Sequence, residues 1–263
     1  MILLYPSHPL RAKQPDNQYA AEVKAMCDAG FEIVTFPLDE FFGGAFISNP
    51  LLPKGAQILY RGWMLSGSEY ENLLSAVAAE GAALAIDQAA YLASHHLPNW
   101  YPLILDLTPE TRIFPATCDL EHELQTLGWP AFFVKDYVKS LKTSTGSIIT
   151  ELTQVKALVA DMKRFRGVIE GGFCVRKVES FLPATERRFF VLDGEVFAES
   201  GGIPPIVQEC IRRLNSRFYS VDVIEREDGH LRIVEIGDGQ VSDLVGWTPE
   251  RFASILAGNF LNT

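Results

Sequence analysis

Apolar positions in this chain fall into short runs, separated by polar breaks marked with glycine or proline. Residues 2–5, 31–36, 57–60 and 82–86 are compact apolar runs and predict buried strands. Residues 19–29 and 68–80 have helix-forming composition. Gly30 stops the first, and Ser68 with Glu71 three residues later predicts a capping box for the second. Residues 7–17 are polar, carry two prolines and predict a loop. Strands alternating with helices in this way predict a small, mostly parallel sheet whose ligands gather beyond the carboxyl ends of its strands. Arg61 lies at such an end and is a candidate to grip a substrate anion; the alternative is an ordinary ion pair. A helix is expected over 87–96. His95 and His96 point in different directions on it, which argues against a metal pair. Residues 99–115, rich in proline and aromatics, predict a domain boundary near 105, giving domains 1–105 and 106–263.

The second half has a different rhythm. After a helix over 119–127, residues 131–139 (AFFVKDYVK) alternate, placing Ala131, Phe133, Lys135, Tyr137 and Lys139 on one face of a strand. Those lysines either bind phosphate or snorkel at a sheet edge. The loop 140–147 (SLKTSTGS) either offers backbone N–H groups to phosphate, with Lys142 as a point charge, or is plain connection. A helix to 165 and a strand over 172–181 follow. Asp193-Gly194 predicts a hairpin, and counting equal distances from it sets Arg188 opposite Glu199 and Phe190 opposite Phe197. Pro204-Pro205 opens a helix over 206–215. A second hairpin is centred on Asp228-Gly229, between YSVDVIE and LRIVEIG. The same count pairs Val223 with Val234, Ile224 with Ile233, Glu225 with Arg232, and Asp222 with Glu235. Opposed side chains lie about 5 Å apart at Cβ. Two carboxylates there repel, so either one is protonated or a cation sits between them. With Asp238 and Gln240 just beyond, the oxygen set suits Mg²⁺ or Mn²⁺; the alternative is a solvated polar face. A helix over 248–260 closes the chain.

Composition narrows the choice of function. With 263 residues, 48% of them hydrophobic, the chain is globular rather than disordered. A net charge of −10 argues against a broad nucleic-acid surface while leaving room for a local basic pocket. The four cysteines show no C-x-x-C or metal-ligand spacing, and no apolar run is long enough to span a membrane. The N-terminal run lacks a basic flank and predicts a strand, not a signal peptide. A cytoplasmic protein with no membrane partner is the expectation. No G-x-S-x-G or H-E-x-x-H motif is present.

Residues 115–244 resemble an ATP-grasp domain. The matching order is Lys135 on its strand, the small-residue loop 142–147, a hinge strand over 175–179, Arg188 with the Asp193-Gly194 hairpin, and the carboxylates Asp222 and Glu235. The YRGW and VKDYVKS stretches look most like the divergent clade named for one arginine and two lysines. Two positions depart from the family pattern: Gly237 stands where an Asn commonly follows the second carboxylate, and the phosphate loop keeps one glycine, Gly146.

The resemblance implies an α/β N-terminal domain followed by an α+β ATP-grasp fold. It implies an ATP- and Mg²⁺-dependent carboxylate–amine ligase working through an acyl phosphate. The partners would be a small-molecule carboxylate and an amine, amino acid or peptide. Lys135, Lys139 and Lys142 would neutralise phosphate oxygens. Lys177 and Val178 would present backbone groups to adenine, and Glu179 would accept from ribose. Asp222, Glu235 and Asp238 would hold the metal. Arg188 would steady the transferring group, with Arg61 or Arg176 on the substrate carboxylate. The alternatives are an ATP-grasp kinase of a hydroxyl group and a non-catalytic nucleotide-binding protein.

Overall fold

The run ILLYPSH forms β1 (Ile2–His8), buried along nearly its whole length because it offers apolar side chains to both faces. The computed structural model describes residues 1–138, 147–166 and 169–261. From β1 the chain continues through β2 (Arg11–Pro15), α1 (Ala20–Asp28), β3 (Glu32–Phe36), α2 (Leu38–Phe42), β4 (Gln57–Tyr60), α3 (Gly67–Ala79), β5 (Ala83–Leu84) and α4 (Gln88–His95). β1 pairs in parallel with β3 and β4, and β4 with β5, which is the expected parallel arrangement. Two local details differ. The expected loop over 7–17 contains β2, which pairs antiparallel with the end of β1. Its side chains are nearly all exposed, so no apolar alternation marks it. The capping box of α3 uses Ser66 and Glu69, not Ser68 and Glu71. The S-x-x-E pattern occurs twice in SGSEYE, and the earlier copy lengthens the helix by two residues.

α5 (Leu97–Trp100) leads to β6 (Thr111–Pro115), a sheet-edge strand in the stretch that the sequence marks only as a boundary. A proline is tolerated there because an edge strand can spare an N–H. Next come α6 (Leu120–Leu127), β7 (Phe132–Lys135), β8 (Ile148–Ile149), α7 (Val155–Arg166) and β9 (Gly172–Lys177). Their strands make an antiparallel sheet in the order β6-β9-β7-β8. On one face Phe132, Val134, Phe173 and Val175 pack with Leu124, Leu158 and Met162 of the two helices. The cross-strand register sets Thr111, Ile113, Phe133, Lys135, Ile148, Cys174 and Arg176 on the other.

A second antiparallel sheet follows, built from β10 (Arg187–Leu192), β11 (Glu195–Ala198), β12 (Phe218–Glu225) and β13 (Leu231–Asp238) in the order β11-β10-β12-β13. α8 (Pro205–Arg213) intervenes before β12 and, through Val207 and Cys210, covers the face bearing Phe189, Val191, Val221, Ile233 and Ile236. α9 (Pro249–Phe260) then runs back to α1, and Phe252, Ile255, Leu256 and Phe260 join the core around β1, β3 and β4. No helix among the described residues is long and apolar enough to cross a membrane.

The two hairpins turn differently. Asp193 and Gly194 both have positive φ, and Phe190 opposes Phe197 as counted. In the second, Arg226 N donates to His230 O at 2.9 Å and Gly229 N to Arg226 O at 2.9 Å, so the loop is three residues, 227–229. Val223, Ile224 and Glu225 therefore oppose Ile233, Arg232 and Leu231, one residue away from the counted partners. An extra residue, Val234, then enters β13 as a bulge, and Asp222 opposes Glu235 after all.

Candidate active site

Three adjacent strands lay a row of charge across the face of the second sheet that α8 does not cover. Arg188 of β10 opposes Asp222 of β12, which opposes Glu235 of β13. Arg188 grips Asp222 with two hydrogen bonds, Nε to Oδ1 at 2.7 Å and Nη2 to Oδ2 at 2.6 Å, and its Nη1 donates to Asp243 O at 2.6 Å. The expected Arg188–Glu199 pairing does not form, because β11 ends at Ala198. From the facing sheet Lys135 Nζ donates to Glu235 Oε1 at 3.1 Å. The row therefore reads plus, minus, minus, plus. The protein's own cations flank the two carboxylates instead of leaving both bare.

The two acids are perturbed in opposite directions. Burial pushes the Asp222 carboxyl above its ordinary range, and Arg188 only partly offsets it. Glu235 feels burial too, but Lys135 first, then Arg188 and Arg176, pull it below its ordinary value. Side-chain exposure separates them as well: 43% for Glu235 against 6% for Asp222. Glu235 is thus the carboxylate open to solvent.

Several expected site residues lie elsewhere. Asp238 shares the helix-covered face with its partner Tyr219, opposite to Glu235. Its oxygens accept from Gln240 N and Nε2, both at 3.0 Å, and from Ser94 Oγ at 3.3 Å, and burial pushes its carboxyl up to about 7. Gln240 is likewise buried, exchanging hydrogen bonds with Tyr70. Arg61 is 1% exposed and does not face a ligand space. It holds Glu22 through two contacts of 2.8 and 2.7 Å, and the carbonyls of Gly239 and Ser242 at 2.6 and 3.0 Å. Lys139 and Lys142 fall outside the described residues.

At the hinge, Lys177, Val178, Glu179 and Ser180 border a cleft of about 690 Å³, together with Thr108, Arg112, Arg226 and Arg232. Asp222, Glu235 and Lys135 are not among its walls. The Glu179 carboxylate is already held by Arg232, at 3.1 and 3.0 Å, and by Arg226 at 3.4 Å. Sequence counting assigns Arg232 to Glu225; only the three-residue loop frees it for the hinge. Val178 and Glu179 make no backbone–backbone hydrogen bond among the described residues. Beside Lys135, Ile113 and Ile148 are 38% and 50% exposed on the same face, an apolar surface suited to a planar ring.

These donors bear on the metal that the family implies. Among the described residues no group of three or more His, Cys, Asp or Glu could hold an ion. Glu235 has one oxygen engaged by Lys135 and an exposed side chain, whereas both Asp222 oxygens are engaged by Arg188. A Cβ at Gly237 would lie 3.0 Å from Ser242 Oγ, so an Asn there would require the Ser242 side chain to shift. The set fits Mg²⁺ held chiefly by phosphates and water with one protein carboxylate, and does not fit an all-protein cage.

A model of the ATP-grasp domain, family 3 of the clade named for one arginine and two lysines, matches residues 126–256. No curated protein matches the sequence. Solved structures share its fold at low identity. A RimK domain ATP-grasp protein from Sphaerobacter thermophilus is 15% identical, with TM-score 0.60 over 96% of this chain and 98% of that one. D-alanyl-alanine synthetase A from Vibrio cholerae is 10% identical, with TM-score 0.64 over 100% and 99%. The macrocyclase MdnC from Microcystis aeruginosa, solved with its precursor peptide, is 13% identical, with TM-score 0.62 over 100% of both.

Proposed function

Since this chain belongs to the ATP-grasp superfamily through the family match over residues 126–256, we propose that it is an ATP-dependent carboxylate–amine ligase. The observation that carries the reading is the Arg188–Asp222–Glu235–Lys135 row, which joins the two antiparallel sheets through the Lys135–Glu235 pair. Phosphoryl transfer needs positioning and neutralised charge more than covalent chemistry from the protein. Lys135 neutralises a phosphate oxygen and releases Glu235 as it does so. Glu235 would hold Mg²⁺, which when bound would supply positive charge to neutralise the nucleotide phosphates. Asp222 keeps the Arg188 guanidinium aimed across the row, where it steadies the acyl phosphate formed on the substrate carboxylate. An amine then attacks the acyl carbon and phosphate leaves. The exposed Ile113 and Ile148 receive the base, and the backbone of Val178 and Glu179 supplies its hydrogen bonds.

An amino acid or peptide is the proposed substrate, which the D-alanyl-alanine synthetase and the peptide-bound macrocyclase among the structural neighbours support. A cytoplasmic setting accords with the four free cysteines. Hydroxylamine tests the reaction class. With ATP, Mg²⁺ and the correct acid it should trap the acyl phosphate as a hydroxamate, with ADP released in equal amount, and Glu235→Gln should abolish the trapping. A stable phosphoester with no hydroxamate would mean a kinase instead. A second reading, nucleotide binding without turnover, draws on Asp222 being fully engaged by Arg188; tight Mg²⁺–ATP binding with no ADP release across the acid panel would favour it.

A further inference from the structure

We infer that Arg176 and Thr108 form a clamp on the β13 bulge that sets Glu235 opposite Asp222, and that both are positioning residues. Its consequence for catalysis rests on the ligase reading above; its structural content does not.

The bulge decides which way Glu235 points. With the three-residue loop alone, the register from Glu225–Leu231 onward would set Asp222 opposite Val234 and Glu235 opposite Val221. Opposed residues share a face, so Glu235 would then turn into the apolar layer under α8 with Val221. One inserted residue returns it to the face that carries Asp222. A bulge also disrupts the ladder and needs other partners for its backbone groups.

Those partners come from outside the sheet. Ile233 N donates to Leu107 O at 2.9 Å. Thr108 Oγ1 donates to Ile233 O at 2.7 Å. Arg176 Nη1 donates to Val234 O, and Nη2 donates to Thr108 Oγ1 at 2.5 Å. Thr108 and Arg176 thus hold successive carbonyls of the bulge and hold each other. Arg176 is 5% exposed, and its Nε has no hydrogen-bond partner among the described residues. Burial pulls it down to about 10, so it is still charged at neutral pH. A buried guanidinium bonded to carbonyls rather than to a carboxylate is a costly way to obtain stability alone. It does fix a backbone geometry. Arg176 also stands beside Cys174 on the face that carries Lys135, so the strand bearing the clamp is hydrogen-bonded to the strand bearing the lysine that meets Glu235.

The test compares Thr108→Val, which removes the hydroxyl at nearly constant shape, with Thr108→Ser, which keeps it, and with Arg176→Lys. Two measurements are made on each. One is the side-chain contact between Glu235 and Lys135 in the nucleotide-free protein, read as the NMR cross-peak between the Glu235 γ and Lys135 ε protons and assigned against Glu235→Gln. The other is Mg²⁺–ATP affinity by calorimetry. In Thr108→Val the cross-peak should be lost as the side chain leaves Lys135, and affinity should fall about tenfold or more, the scale for losing a group that orients a metal ligand. Thr108→Ser should restore both. Folded Thr108→Val and Arg176→Lys with the wild-type cross-peak would overturn the clamp. If Arg176→Lys does not fold, the Thr108 pair decides alone. If wild type binds no nucleotide, the ligase reading fails, and the cross-peak still decides the clamp.

Discussion

Asp238 and Arg61 show what residue identity withholds. By residue type, one suits a metal ligand and the other an anion grip; burial removes both from that work. Side-chain type reports charge, but not whether a helix has already covered it. Asp238 in turn supports a pH prediction. Burial pushes its carboxyl up to about 7, against about 3.9 in the unfolded chain. Between those values the native state holds the extra proton, so the unfolding free energy falls as pH rises. The contribution is fully present below about pH 4 and lost through about pH 7. Asp238→Asn keeps the shape and the partners Ser94 and Gln240 while removing the titration. Thermal midpoints measured from about pH 4 to 8 should show the variant gaining on wild type as pH rises. Parallel curves would mean that Asp238 stays ionised throughout.

Elements were more legible than their pairings. The parallel strands, the Asp193-Gly194 turn and the helices around them follow from runs of apolar residues and from turn chemistry. β2 and β6 escaped because exposed edge strands carry no apolar alternation. Equal-distance counting about a two-residue loop with no bulge pairs Asp222 with Glu235; the real loop and the real bulge each shift the register by one, and the shifts cancel. A bulge leaves no composition mark of its own, since what holds it here is Arg176 and Thr108, both remote from it in sequence. Capping can be tested at this scale. Ser66 Oγ accepts from Glu69 N, whereas Ser68 sits inside the first turn of α3. Ser66→Ala should cost about 1 kcal/mol, and Ser68→Ala, at an exposed helical position, should change stability by less than about 0.5 kcal/mol in either direction. Equal losses in denaturant unfolding would return the cap to Ser68.

Across the whole molecule, Arg61 ties the β4 end to the segment after β13. It bonds Glu22 of α1 and the carbonyls of Gly239 and Ser242 at once. Breaking a buried pair strands a charge and costs about 3–5 kcal/mol. Arg61→Met and Glu22→Gln should therefore both lower the thermal midpoint by several degrees. An Arg61→Met protein with wild-type stability but weakened substrate binding would restore the anion-gripping role. The same closure involves α9, whose Phe252, Ile255 and Leu256 fill the core that β1, β3 and β4 begin. Those strands are translated well before that helix. Their apolar floor therefore stays uncovered until α9 has left the exit tunnel, and a chaperone that holds nascent chains would be needed on that surface throughout the interval.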